Sequence, residues 1–159
     1  MIGEEIGISQ DAACTYALFH DAAIPLMMKR FKDYGRVMEA AKCSGQMLVD
    51  AGNIDFPCAY PVVGSLMVRS WGLPQILGVA IRFHHEPDAH DFPDCTLLAG
   101  ALSLIAVTHI AEHLSAEVLG ETDLEVGAEL YERALAFVGL SENELDQIPQ
   151  RVLVALDDA

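Results

Sequence analysis

Positive charge is what this 159-residue chain has least of: nine lysines and arginines stand against 24 aspartates and glutamates, for a formal charge of −15 at neutral pH. A field of that sign repels phosphate backbones and anionic membrane surfaces rather than steering towards them. Direct nucleic-acid binding and membrane binding are therefore not expected, and an anionic ligand would need a local arginine or a metal ion beside it. Long apolar runs are also missing. The longest, Leu97–Val107, falls well short of the ~18 to 20 residues that a membrane span requires, and reads as a buried core helix. The opening residues Met1–Glu5 have neither the basic region nor the apolar core of a signal peptide, so a cytoplasmic location is expected.

Cysteine pairs at CxxC spacing are absent too. Cys14, Cys43, Cys58 and Cys95 mostly have apolar or small neighbours, as expected of buried free thiols in a reducing cytosol, and Cys14 and Cys43 lack a nearby signature for nucleophilic catalysis. Neither a glycine-rich phosphate loop nor the Gly-x-Ser-x-Gly elbow of α/β-hydrolases occurs. Alternation of period two never lasts long enough to make a sheet, whereas apolar residues recur at helical spacing almost throughout. The expected fold class is all-α. A chain of this length suits one domain, residues 1–159, burying about two-thirds of the surface its unfolded form would expose.

Punctuation then divides the chain into helices. Ser9 is placed to cap a first helix running to about Phe19, and Pro25 to open a second through Phe31, with His20 and Asp21 at the junction. A third is expected from Tyr34 to about Val49. Another starts near Pro61 and ends at Trp71-Gly72, and Leu73-Pro74 restarts a helix to about His84. Two prolines keep Glu86–Pro93 as an acidic loop, after which a long helix should cover about Cys95 to Leu119 and stop at Gly120. Thr122 with Glu125, and Ser141 with Glu144, read as capping boxes of the last helices. Met27, Met28, Met38, Met47 and Met67 are expected as core filler, and Trp71 as a packing anchor under the Gly-Leu-Pro turn.

The segments Tyr60–Pro74 and Ile81–Pro87, read with Leu18-Phe-His-Asp21 upstream and Ala106–Leu114 downstream, resemble the HDOD domain, the signalling branch of the HD metal-dependent phosphohydrolase superfamily. The resemblance covers roughly Thr15 to Leu114 and implies an HD-like helical bundle. It also implies that the usual N-terminal lobe is missing here, with self-association as the simplest cover for the apolar surface that lobe would face. His20-Asp21 occupies the place of the family's metal-binding His-Asp pair, and His84-His85 matches its His-His segment. Glu112 stands where the later aspartate is usual, and Tyr60 where a histidine is common; no histidine precedes His20.

His20, Asp21, His84, His85 and Glu112 are thus a partial ligand set, of types that suit Mn²⁺, Fe²⁺ or Zn²⁺. An intact set would use metal-activated water to attack a phosphorus centre. The bland alternatives are a hydrogen-bonded pair at a helix end for His20-Asp21, and a cap on the negative end of a helix dipole for His84-His85. A competing motif is His109-Ile-Ala-Glu-His113, which matches the H-x-x-E-H pattern of inverted zinc peptidases but leaves little chain for a third ligand. With histidines missing, the expected function is a non-catalytic regulatory or scaffolding module of bacterial signal transduction, needing no cofactor. Its partners would be signalling proteins, with a homo-oligomer a further expectation. The alternative is a divalent-metal phosphohydrolase acting on a nucleotide or cyclic dinucleotide.

Overall fold

The computed structural model describes residues 8–90, 99–123, 126–141 and 145. Within them the chain forms α1 (Gln10–Phe19), α2 (Ala23–Arg30), α3 (Tyr34–Ser44), α4 (Leu48–Asp55), α5 (Tyr60–Ser70), α6 (Gln75–Phe83), a 3-10 turn (Pro87–His90), α7 (Ala99–Leu119) and α8 (Gly127–Val138). There is no strand among the described residues, and the fold is all-α.

The helix ends follow from local chemistry. The Ser9 hydroxyl accepts the Ala12 amide at 3.2 Å, satisfying one of the free donors of α1. Pro25 lies in the first turn of α2 and Pro61 in that of α5, where a missing N–H costs no helical bond. Tyr34 to Val49 is not one helix, as the apolar spacing suggested. Gly45 takes a left-handed φ of 70° and the Gln46 amide closes back on the Ala41 carbonyl at 3.0 Å, ending α3 before Leu48 starts α4. The same closure recurs after α5, where Gly72 has φ 74° and the Leu73 amide meets the Val68 carbonyl. Before α8, Asp123 Oδ1 accepts the Val126 amide at 2.9 Å. Glu125, Glu144 and the Cys95 start of the long helix lie outside the described residues.

Three apolar clusters fill the interior. The central one joins α1, α5, α6 and the first half of α7 through Tyr16, Val68, Ile81, Leu104 and Ile105. A second lies between the far half of α7 and α8, through Ile110, Leu130, Ala134 and Leu135. A third, built on Met27, Tyr34, Met38, Leu48 and Tyr60, holds α2 to α5 together. Gly100–Leu119 is by length and composition apolar enough to cross a membrane, and in the fold it packs against α1, α6 and α8.

Several expectations about single side chains need correction. Cys14 and Cys43 are exposed and Cys58 is half-buried. Each of the first two stands two positions from a buried residue, Tyr16 and Ala41, and so about 200° around the helix from the core. Sequence neighbours misled here because they are not neighbours on a helix face. Met28 is exposed although Met27 and Met38 are buried. Trp71 is half-exposed and lies edge-on against Phe19, a lid on the α1–α5 contact rather than an anchor beneath a turn.

Candidate functional site

The site forms where the C-terminus of α1, the C-terminus of α6 and the middle of α7 meet. His20 follows the last turn of α1, and its Nδ1 donates to the Ala17 carbonyl at 2.7 Å. His84 ends α6 in the same way, with Nδ1 donating to the Ile81 carbonyl at 2.8 Å. Each bond fixes the ring and commits Nδ1 as the proton carrier, which turns Nε2 towards the interior. Gly64 on α5 permits the approach of these elements: a Cβ there would stand 3.0 Å from Ile81, 3.6 Å from Ala23 and 3.7 Å from the His20 carbonyl.

Asp21 lies between the two rings. Its Oδ2 is 3.2 Å from His20 Nε2, and its Oδ1 is 3.7 Å from His84 Nε2. Glu112, on α7, brings Oε1 to 2.5 Å from His20 Nε2, so the longer side chain reaches the pair from across the bundle. His85 stacks obliquely on His84, with ring centroids 4.0 Å apart, and its Nε2 is hydrogen-bonded to the Tyr60 hydroxyl. All five residues named from the sequence therefore converge. They form two overlapping sets of potential ligands, His20/Asp21/Glu112 and Asp21/His84/His85, with Asp21 common to both.

Electrostatics divides the cluster. Burial opposes charge on His20, but the Asp21 and Glu112 carboxylates outweigh it and push the imidazole up to about 11. Burial likewise opposes charge on Asp21, and the neighbouring His20 and His84 imidazoles overcome it, holding the carboxyl well below its usual range. His85 goes the other way: burial, reinforced by repulsion from His84, keeps it well below the ordinary value and hence neutral. Burial, with Glu112 and Asp21 adding to it, raises the Tyr16 phenol well above 10.

The donor set fits a divalent cation in two respects. Among the described residues, His84 Nε2 and Asp21 Oδ1 are shut off from solvent without a hydrogen-bond partner, and burying such groups unpaired is unfavourable. Both His20 and His84 also carry the Nδ1-to-carbonyl bond by which proteins orient a ligating imidazole. The fit is partial, because an imidazolium at His20 and a cation compete for the same Nε2.

Sequence reasoning missed three members of the shell. Tyr16, one helical turn before His20, has its ring centroid 5.9 Å from that imidazole and its hydroxyl buried. Tyr60 was noted only as a replaced histidine, not as the partner of His85. His109, 2% exposed and one turn before Glu112, lies close enough to His85 to oppose its protonation. The i,i+4 and i,i+3 spacings to His20 and Glu112 were the available signals. His113 turns elsewhere: its Nδ1 is 2.9 Å from Asp123 Oδ2 and its ring stacks on Tyr131 at 3.8 Å. The H-x-x-E-H pair is thereby split between two environments, and no potential ligand set among the described residues contains both His109 and His113. Beside His85 a cavity of about 470 Å³ opens between α4, the end of α6 and the start of α8, lined in part by Asn53, Arg82, Glu86 and Glu129.

A family model described as HDOD domain matches residues 1–87, just over half of the chain. The chain belongs to the HDOD domain family, an HD-related type associated with signal transduction. The match ends before α7, so Glu112 lies beyond it. No curated protein and no solved structure matches the chain.

Proposed function

We propose that this HDOD domain is a non-catalytic regulatory or scaffolding module of bacterial signal transduction, acting in the cytoplasm through signalling proteins that dock on its helix faces. The observation that carries this reading is the pairing of His20, which is held as an imidazolium between Asp21 and Glu112, so that the nitrogen a cation would need is engaged by two carboxylates, while the Tyr60 hydroxyl engages His85. Such an arrangement cross-links α1, α5, α6 and α7 and serves as a rigid hub. The test is metal content of untagged protein prepared without chelator and then supplied with Mn²⁺, Fe²⁺ or Zn²⁺, comparing wild type with Asp21→Ala. The expected result is sub-stoichiometric metal in both.

One observation favours a second reading, a divalent-metal phosphohydrolase acting on a nucleotide or cyclic dinucleotide. His84 Nε2 and Asp21 Oδ1 face each other, buried and without hydrogen bonds, as ligands awaiting a cation would. His20, Asp21, His84, His85 and Glu112 would hold the metal, which would supply an activated water and charge stabilisation for phosphoryl oxygens. Near-stoichiometric metal in wild type, lost in Asp21→Ala, would favour this reading and overturn the first.

A further inference from the structure

The nine cations of this acidic chain are unevenly spread. Five of them, Lys29, Arg30, Lys32, Arg36 and Lys42, fall within α2, α3 and their connection, against only Asp33 and Glu39. All five are exposed. Arg36 pairs with Asp33 at 2.6 Å and Arg30 lies over the Phe31 ring, whereas Lys29, Lys32 and Lys42 have no ion-pair partner among the described residues. Leu26 and Met28 are also exposed on α2. The opposite pattern holds from residue 83 to 132, which contains no lysine or arginine at all. There Glu117, Glu121 and Glu132 are exposed along the end of α7 and on α8, with Leu119 and Phe137 exposed on the same elements. The two surfaces sit over different apolar clusters, the α2–α5 cluster and the α7–α8 cluster.

We infer that the basic α2–α3 surface docks on the acidic α7–α8 surface of a second copy of this chain, in a head-to-tail contact with apolar side chains at its centre. This rests on the proposal of a protein-docking module and names its partner. Charge complementarity selects the occupant: the acidic, apolar-studded surface that a +3 patch requires is present on the same molecule. A contact of this kind places two different patches together, so it propagates or closes into a ring rather than pairing one patch with itself. Opposite charge at the rim sets orientation and encounter rate, and the exposed leucines, methionine and phenylalanine supply the area removed from water. Two chains of −15 also repel at long range, but at ~0.15 M salt the screening length is about 8 Å, which leaves contact pairs largely in force and mutes the net repulsion.

The test is sedimentation velocity of the full chain in ~0.1 M and ~0.5 M salt, with two charge-reversal variants chosen at exposed residues that form no ion pair among the described residues. The expected result is concentration-dependent association that weakens in high salt. K29E/K32E and E117K/E132K should each weaken it by roughly tenfold or more, since like charges then face each other. Mixing the two variants should restore association, because the reversed basic patch of one then complements the reversed acidic patch of the other. A chain that stays monomeric at all concentrations, association unmoved by either reversal, or failure of the mixture to recover would overturn the inference. Binding to phosphatidylserine vesicles through Lys29 and Lys32 by a chain that remains monomeric would overturn it in favour of a membrane surface. Asp21→Ala, which tests the pocket, should leave association unchanged, so the two proposals fail separately.

Discussion

His20 and His85 lie in one pocket and end at opposite charge states. The first meets two carboxylates and is pushed up to about 11; the second meets another imidazole and a phenol, and burial holds it neutral. Burial is unfavourable for both cations, so the difference lies in whether a carboxylate reaches Nε2. Asp21 and Glu112 make one half of the pocket ionic, and burial beside the His84 ring keeps the other half neutral. Imidazole placement alone therefore does not define a metal site here; the partner on the second nitrogen decides what each ring can do.

The largest test of this contrast removes the shared carboxylate. Asp21→Asn leaves His20 with one ion-pair partner and weakens the His84 contact, and should cost about 2 to 3 kcal/mol of stability, read from urea denaturation. Removal of the Tyr60 hydroxyl is the next largest. Tyr60→Phe strands a buried nitrogen of His85 and should cost about 1 to 2 kcal/mol while leaving the His20 half intact. An equal or larger loss than for Asp21→Asn would contradict the ionic half as the stronger one.

Smaller, and more specific, is the pH dependence. Because the folded state keeps the His20 proton to about 11 and the unfolded chain loses it near 6.5, that contribution is complete below 6.5 and is lost as pH rises towards 11. His85 has the reverse sign: the unfolded chain takes up a proton below 6.5 that the folded state refuses, so stability falls as pH drops from there. The depressed Asp21 adds a further loss below its unfolded value of 3.8. Stability should peak near pH 6.5, and Glu112→Gln should make the alkaline limb shallower without altering the acid limb. A Glu112→Gln profile parallel to wild type would place the carboxylate effect elsewhere. The smallest effect belongs to His113→Ala, which removes the Asp123 contact and the Tyr131 stack outside the pocket. About 1 kcal/mol should be lost, read from urea denaturation at one pH.

Much of this was legible in the residues themselves. Proline and glycine marked most helix ends, because those residues restrict or free the backbone locally, and the HD-like segments named all five members of the cluster. The break at Gly45 was harder, since apolar spacing continues across it into Leu48 and only the left-handed turn separates α3 from α4. The roles of Tyr16, Tyr60 and His109 depended on which helices meet, and that is set by packing between elements far apart in sequence. Exposure of Cys14, Cys43 and Met28 depended on helix phase, which residue type alone does not reveal.

Gly64 has a reach out of proportion to its size. With only a hydrogen where other residues carry a carbon, α5 nests against α6 and α2 and comes within a carbon's contact of the His20 backbone. The spacing between the His20 and His84 rings, 5.8 Å between centroids, is thus gauged by a residue that has no side chain and no charge. A single methyl at that notch would press on Ile81, three residues before His84, and retune the pocket from behind, altering its chemistry while every polar group in it kept its identity.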